Sequence, residues 1–154
     1  MKCNVDDVAP TEVHEGRHQY TRKRLGAAAG GVQLGCSHMT LPPGALSYPL
    51  HYHAANEEAI YVLAGRGTLR LGDERHPIET GDWIALPTGP AHAHQIINDS
   101  DAPLAYLCVS TMQPVDVWVY PDANKIGFTN GDVRMWVKRD AGVDYWADEP
   151  AALE

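Results

Sequence analysis

This 154-residue chain predicts an all-β fold, a barrel or sandwich of short strands. Three observations carry that prediction. Short apolar stretches recur at close spacing between strong turn formers. No long apolar stripe of helical period competes with them. Two His-x-His pairs, His51/His53 and His92/His94, have the spacing that a strand turns into two side chains on one face.

The predicted strands, in order, cover residues 32–41, 48–53, 58–63, 68–71, 76–78, 83–86, 94–97, 104–110 and 115–120. Between them stand Pro42-Pro43-Gly44, Gly65-Arg66-Gly67, Gly72-Asp73, Gly81-Asp82, Pro87-Thr88-Gly89-Pro90 and Asn98-Asp99-Ser100-Asp101, all turn chemistry. The best helical stretch is residues 26–29, short and flanked by glycines. Residues 121–132 read as a loop, and 133–137 as one more strand. Residues 141–154 read as a tail that Tyr145 and Trp146 pack onto the body. Nothing in the sequence resembles a linker or an internal repeat, so one domain is expected.

Composition narrows the function. The formal net charge is −8, which argues against nucleic acid and anionic membrane surfaces as partners. Arg22-Lys23-Arg24 is the longest basic run and reads as a solvated loop or strand edge. The first ten residues lack the apolar core of a secretory signal, and no stretch has the length of a membrane-spanning helix. A soluble, cytoplasmic protein is expected. Cys3, Cys36 and Cys108 are far apart and form no Cys-x-x-Cys pair, so free thiols are expected, the latter two buried in strands.

The histidines carry the chemistry. His51 and His53 leave one strand face together, and two neutral imidazoles there can chelate a divalent cation. Glu57 and Glu58 open the next strand after a turn at Ala54-Ala55-Asn56. One residue of register decides which of the two faces the histidines, and periodicity does not choose. His92 and His94 follow the loop at Pro87–Pro90 and open another strand. Four donors from two separated hairpins would then meet.

At this point the sequence resembles the cupin superfamily. Gly44, His51, His53, Glu58 and Gly65 follow the first cupin motif, with a six-residue gap between Gly44 and His51. Gly81, Pro87, Gly89 and Asn98 follow the second, with two extra residues before its histidine if that is His94. The stretch Glu57–Leu63, Ala93-His94-Gln95 and Tyr120-Pro121-Asp122 are similar to bacterial stand-alone cupins. The resemblance implies a double-stranded β-helix, a jelly-roll barrel, as one domain over 1–154 with a core at about 31–120 and both extensions packed on it. It implies His51, His53, Glu58 and His94 as ligands of one divalent transition metal, Mn, Fe, Ni, Co or Zn. It leaves Glu57 as a solvated acid, His92 as an alternative ligand or proton shuttle, and a homodimer as the assembly. Glu58 weighs against thiol dioxygenases, which usually lack that ligand.

Three imidazoles and one carboxylate leave open positions on such a metal. A small metabolite with adjacent oxygens (a sugar, hydroxy-ketone or keto-acid) can occupy them, and isomerase or lyase chemistry through an enediolate follows. The alternatives are an iron-dependent oxygenase and a non-catalytic metabolite-binding or sensing module. Tyr48, Tyr52, Tyr61 and Gln95 are the acid–base candidates beside the motifs. His38 is a further candidate for the barrel lining. Arg66 and Arg70 stand near glycine turns, where phosphate binding is conceivable, although solvation is the commoner role and the acidic charge gives a phosphorylated substrate little help.

Overall fold

The computed structural model describes residues 1–150. An N-terminal hairpin pairs β1 (Thr11–Glu15) with β2 (His18–Lys23) around Gly16, whose φ of 60° suits glycine. A short helix α1 (Leu25–Ala28) leads to β3 (Leu34–Leu41). Next come β4 (Tyr52–His53), β5 (Glu58–Ala64), β6 (Arg66–Leu71), β7 (Glu74–Glu79), β8 (Trp83–Leu86) and β9 (His94–Ile97). The remaining strands are β10 (Leu104–Thr111), β11 (Asp116–Tyr120), β12 (Lys125–Thr129) and β13 (Arg134–Lys138). One sheet runs β1-β2-β3-β10-β5-β8, and two others run β13-β12-β11-β4 and β7-β6-β9. A bridge from His51, beside β4, to His94 of β9 connects the last two into an opposing wall. The result is a jelly-roll barrel.

A polarity gradient inside the barrel places the site. Along β3 the inward residues pass from Leu41 and Met39 to Ser37. Along β5 they pass from Val62 and Ile60 to Glu58, and along β10 from Leu104 and Tyr106 to Cys108. The apolar ends of these strands join Ala45, Leu69, Ile78, Leu86 and Ile96 in a continuous core. The polar ends face a different job at the other mouth.

Four expectations from sequence need correction. The strand expected at 48–53 reduces to β4, because Pro49 lacks the N–H a ladder needs, and His51 bridges to His94 instead. The loop expected at 121–132 contains a 3-10 turn at Pro121–Ala123 and then β12. Gly127 hides that strand in the sequence, and it is required because Trp136 lies where its Cβ would be. Arg22 and Lys23 are half-buried in β2, an interior strand, rather than solvated at an edge. Tyr145 and Trp146 do not pack onto the body: they are 82% and 73% exposed and contact each other. The last part of the expected tail, 151–154, lies outside the described residues.

Candidate metal centre

β4 and the turn before it deliver His51 and His53 to the same face, while β5 delivers Glu58 and the start of β9 delivers His94. The ligand-capable atoms of His51, His53 and Glu58 all lie within 4.8 Å of one another. Glu58 Oε2 is 3.2 Å from His94 Nε2 and 3.5 Å from His53 Nε2. The His51 and His94 rings stand 4.7 Å apart, joined by reciprocal backbone hydrogen bonds.

The ring nitrogens facing away from this point are all committed. His51 Nδ1 donates to the Pro49 carbonyl at 2.8 Å, and His94 Nδ1 to the His92 carbonyl at 3.0 Å. A carbonyl only accepts, so each of these nitrogens carries the proton. His53 Nδ1 donates to Asp116, a carboxylate with no exposed side-chain surface. Each neutral imidazole is thereby left with its lone pair on Nε2, aimed at the Glu58 carboxylate. Lone pairs and an anion gathered in one buried spot repel unless a cation lies among them, so the donor set fits a divalent transition metal.

The protonation of His51 and Glu58 agrees with that reading, whereas His53 takes up a proton more readily when no cation is bound. Burial, reinforced by the neighbouring His94, pushes His51 down to about 4, so its imidazole is neutral at physiological pH. Burial would raise Glu58, but the close His94 and the other two imidazoles outweigh it and hold the carboxyl low, so it stays an anion. Burial would also lower His53, but the Asp116 hydrogen bond and Glu58 raise it.

Tyr48 is the acid–base candidate that faces this cluster, its ring 6.1 Å from that of His51. Burial pushes its hydroxyl up, so it stays protonated. Tyr52 alternates with the two histidines and faces the other way, and so does Gln95 next to His94. Gln95 instead lines an outer groove and donates to the Tyr48 carbonyl. Tyr61 is exposed on the outer face of β5, as is Glu57 at its start. His92 sits in a 3-10 turn and contributes its carbonyl to His94. His38 shares the outer face of β3 with Cys36 and Thr40 and does not line the barrel. Arg66 is exposed near Asp101, and Arg70 is held by Asp122.

Sequence reasoning missed three residues. Asp116 orients His53, and it lies 63 positions away on β11. Its signal was a lone acid sharing a strand face with Trp118 and Tyr120. Cys108 sits inward with Sγ 3.8 Å from Glu58 Oε1, and burial pushes its thiol well up. Tyr120 stacks on His51 at 5.8 Å and 23°.

The Cupin domain family matches residues 37–110. SchB of Streptomyces halstedii is 31% identical over 103 residues, covering 66% of this chain and 71% of that protein. An uncharacterized protein of Methanocaldococcus jannaschii is 36% identical over 52% of this chain, a match that spans 62% of the archaeal protein's length. Among solved structures, a cupin-superfamily sugar phosphate isomerase from Silicibacter pomeroyi superposes with a TM-score of 0.83 at 30% identity, covering 92% of this chain and 94% of that one. A protein from Acidithiobacillus ferrooxidans, also described as a candidate sugar phosphate isomerase, superposes with a TM-score of 0.81 at 31% identity, over 90% and 88% of the two chains. Barrel, motif spacing and relatives agree: the chain belongs to the cupin superfamily.

Proposed function

We propose that the chain is a metal-dependent isomerase that shifts a proton between neighbouring carbons of a small hydroxy-carbonyl compound. His51, His53, Glu58 and His94 would hold one divalent ion, with Mn, Fe, Co, Ni and Zn all compatible with three nitrogens and a carboxylate. The observation that carries the proposal is the convergence of three Nε2 lone pairs on a buried carboxylate, each fixed by a hydrogen bond behind it. The sugar phosphate isomerase from Silicibacter pomeroyi, similar over nearly the whole chain, supports the reaction class.

When bound, the metal polarises a substrate carbonyl and stabilises charge developing on its oxygen. The chain's own residues supply the rest. Asp116 and the two backbone carbonyls keep the imidazoles from turning, which preserves the geometry during turnover. Tyr48 keeps its proton and is placed to donate it, or a hydrogen bond, to a substrate oxygen. The apolar core below the cluster closes the barrel to water from that side. The homodimer implied by the family resemblance and the cytoplasmic setting expected from the N-terminal sequence belong to this proposal as well.

The test joins elemental analysis by plasma mass spectrometry with proton exchange. Purified wild-type protein should carry about one equivalent of a transition metal, and the His51→Ala/His53→Ala variant should carry none. The metal-loaded protein should exchange a substrate C2 proton with deuterium oxide across a panel of aldoses, ketoses and their phosphates. Failure to bind any of the five ions would reject the metal site. Stoichiometric metal without exchange on any of the panel would reject the isomerase and favour a binding module.

A further inference from the structure

We infer that Arg22 binds the phosphate of a phosphorylated substrate whose carbonyl end lies at the histidine cluster. This rests on the isomerase reading above and names its substrate class.

Among the described residues two arginines are half-buried, Arg22 and Arg70. Arg70 is spent: its two terminal nitrogens donate to Asp122 at 2.6 and 3.1 Å, and Nε donates to the Gly72 carbonyl. Arg22 is held differently. Its Nε donates to Ser37 Oγ at 2.9 Å, and among the described residues it makes no ion pair. One bond fixes the guanidinium and leaves its remaining N–H groups for an incoming anion.

The sheet order shows where that guanidinium points. Arg22 pairs with Met39, a core residue, so its side chain leaves the barrel's inward face. Ser37, its anchor, is 5% exposed and lies opposite Cys108, whose sulfur is in turn beside Glu58. The order β2-β3-β10-β5 therefore sets Arg22, Ser37, Cys108 and Glu58 across one inner wall. Three strand spacings, on the order of 14 Å between backbones, separate the arginine from the glutamate, less the reach of two side chains. On this inference the substrate lies along that wall, with its phosphate at Arg22 and its carbonyl end at the cluster. Tyr20, also on β2, packs against Tyr48 with ring centroids 4.9 Å apart, and both rest on the apolar core.

Charge supports the assignment. Three neutral imidazoles, the Glu58 and Asp116 carboxylates and a divalent ion sum to about zero, and Arg22 brings the inner surface to about plus one. A phosphate monoester carries about −1.5 to −2. Most of the acids behind the chain's net charge of −8 lie on an outer surface that water screens, while the barrel interior answers to the nearest charges. β2 also precedes the segment 37–110 that matches the cupin family, so substrate choice here would come from outside the metal motifs.

The test is isothermal titration of the metal-loaded full chain with two hydroxamates, phosphoglycolohydroxamate and acetohydroxamate. Both offer a chelating oxygen pair, and the first adds a phosphate. Wild type should favour the phosphorylated probe by about tenfold to a hundredfold. Arg22→Met should erase that preference and leave acetohydroxamate affinity unchanged, and Arg22→Lys should restore part of it. His51→Ala should weaken both probes. No preference in wild type, or a preference that survives Arg22→Met, would overturn the assignment. If neither hydroxamate binds, the metal reading fails, and Arg22 is judged by titration with inorganic phosphate. Binding lost in Arg22→Met then supports the anion site, and equal binding in both proteins rejects it. Circular dichroism of each variant checks that it is folded.

Discussion

Asp116 accepts hydrogen bonds from His53, from the amides of Ala55 and Val117, and from the Asn56 side chain. Burial alone would raise its carboxyl, yet these donors outweigh burial and hold it at about 2. Two predictions follow at this scale. Asp116→Ala should weaken metal binding about 10–100-fold, read by competition with a chelator. The folded value lies below the ordinary 3.8, so the unfolded chain binds more protons in this window. Asp116 therefore contributes about 2 kcal/mol that is present above the ordinary value and lost as pH falls toward about 2. Urea unfolding of wild type and Asp116→Ala between about pH 5 and pH 2 should show the difference shrinking with acid. A constant difference would reject this account. The two candidate histidines of the second motif also separate here. His94→Ala should lower metal affinity far more than His92→Ala, which leaves the backbone carbonyl in place. The four proposed ligands were legible because motif spacing follows strand register. Asp116 and Cys108 were not, because each meets the cluster through pairing between strands distant in sequence.

Two strands of the second motif, Trp83–Leu86 and His94–Ile97, were readable to the residue, since both are short runs bounded by turn formers. β1 and β2 were missed: their burial gives no period-two signal, with β2 half-buried at all six positions. β2 lies between two partners while its sequence, His-Gln-Tyr-Thr-Arg-Lys, is polar on both faces. Tyr52–His53 was overextended because isolated bridges look like strand in sequence but carry no ladder. The connection from β5 to β6 yields the prediction for this scale. Gly65 has a φ of 88°, and a Cβ there would overlap the Pro103 carbonyl oxygen. Gly65→Ala should cost about 2–3 kcal/mol, a fall in Tm of about 4–10 °C by calorimetry. Gly72→Ala is the control, because φ is 59° but nothing lies within 4 Å, so only backbone strain of about 1 kcal/mol remains.

For the whole molecule, one barrel carries two solvents. Its lower half excludes water with Leu, Ile, Val and Met, and its upper half arranges imidazoles, tyrosines and an arginine. The same strands serve both halves, so the stability of the lower half fixes the geometry of the upper. The jelly roll and the metal motifs were legible because they depend on local pattern, whereas the lining supplied by β2 and β11 depends on topology. Topology also sets Trp118 edge-on to His53, with centroids 6.4 Å apart, and stacks Trp136 behind it at 5.9 Å. An indole so near a proposed metal ligand would act as an optical gauge. Loading the barrel with an open-shell ion such as cobalt or nickel should dim the protein's ultraviolet emission, while zinc should leave it bright. The chain would then carry its own indicator dye, and metal occupancy could be followed by light with no label attached.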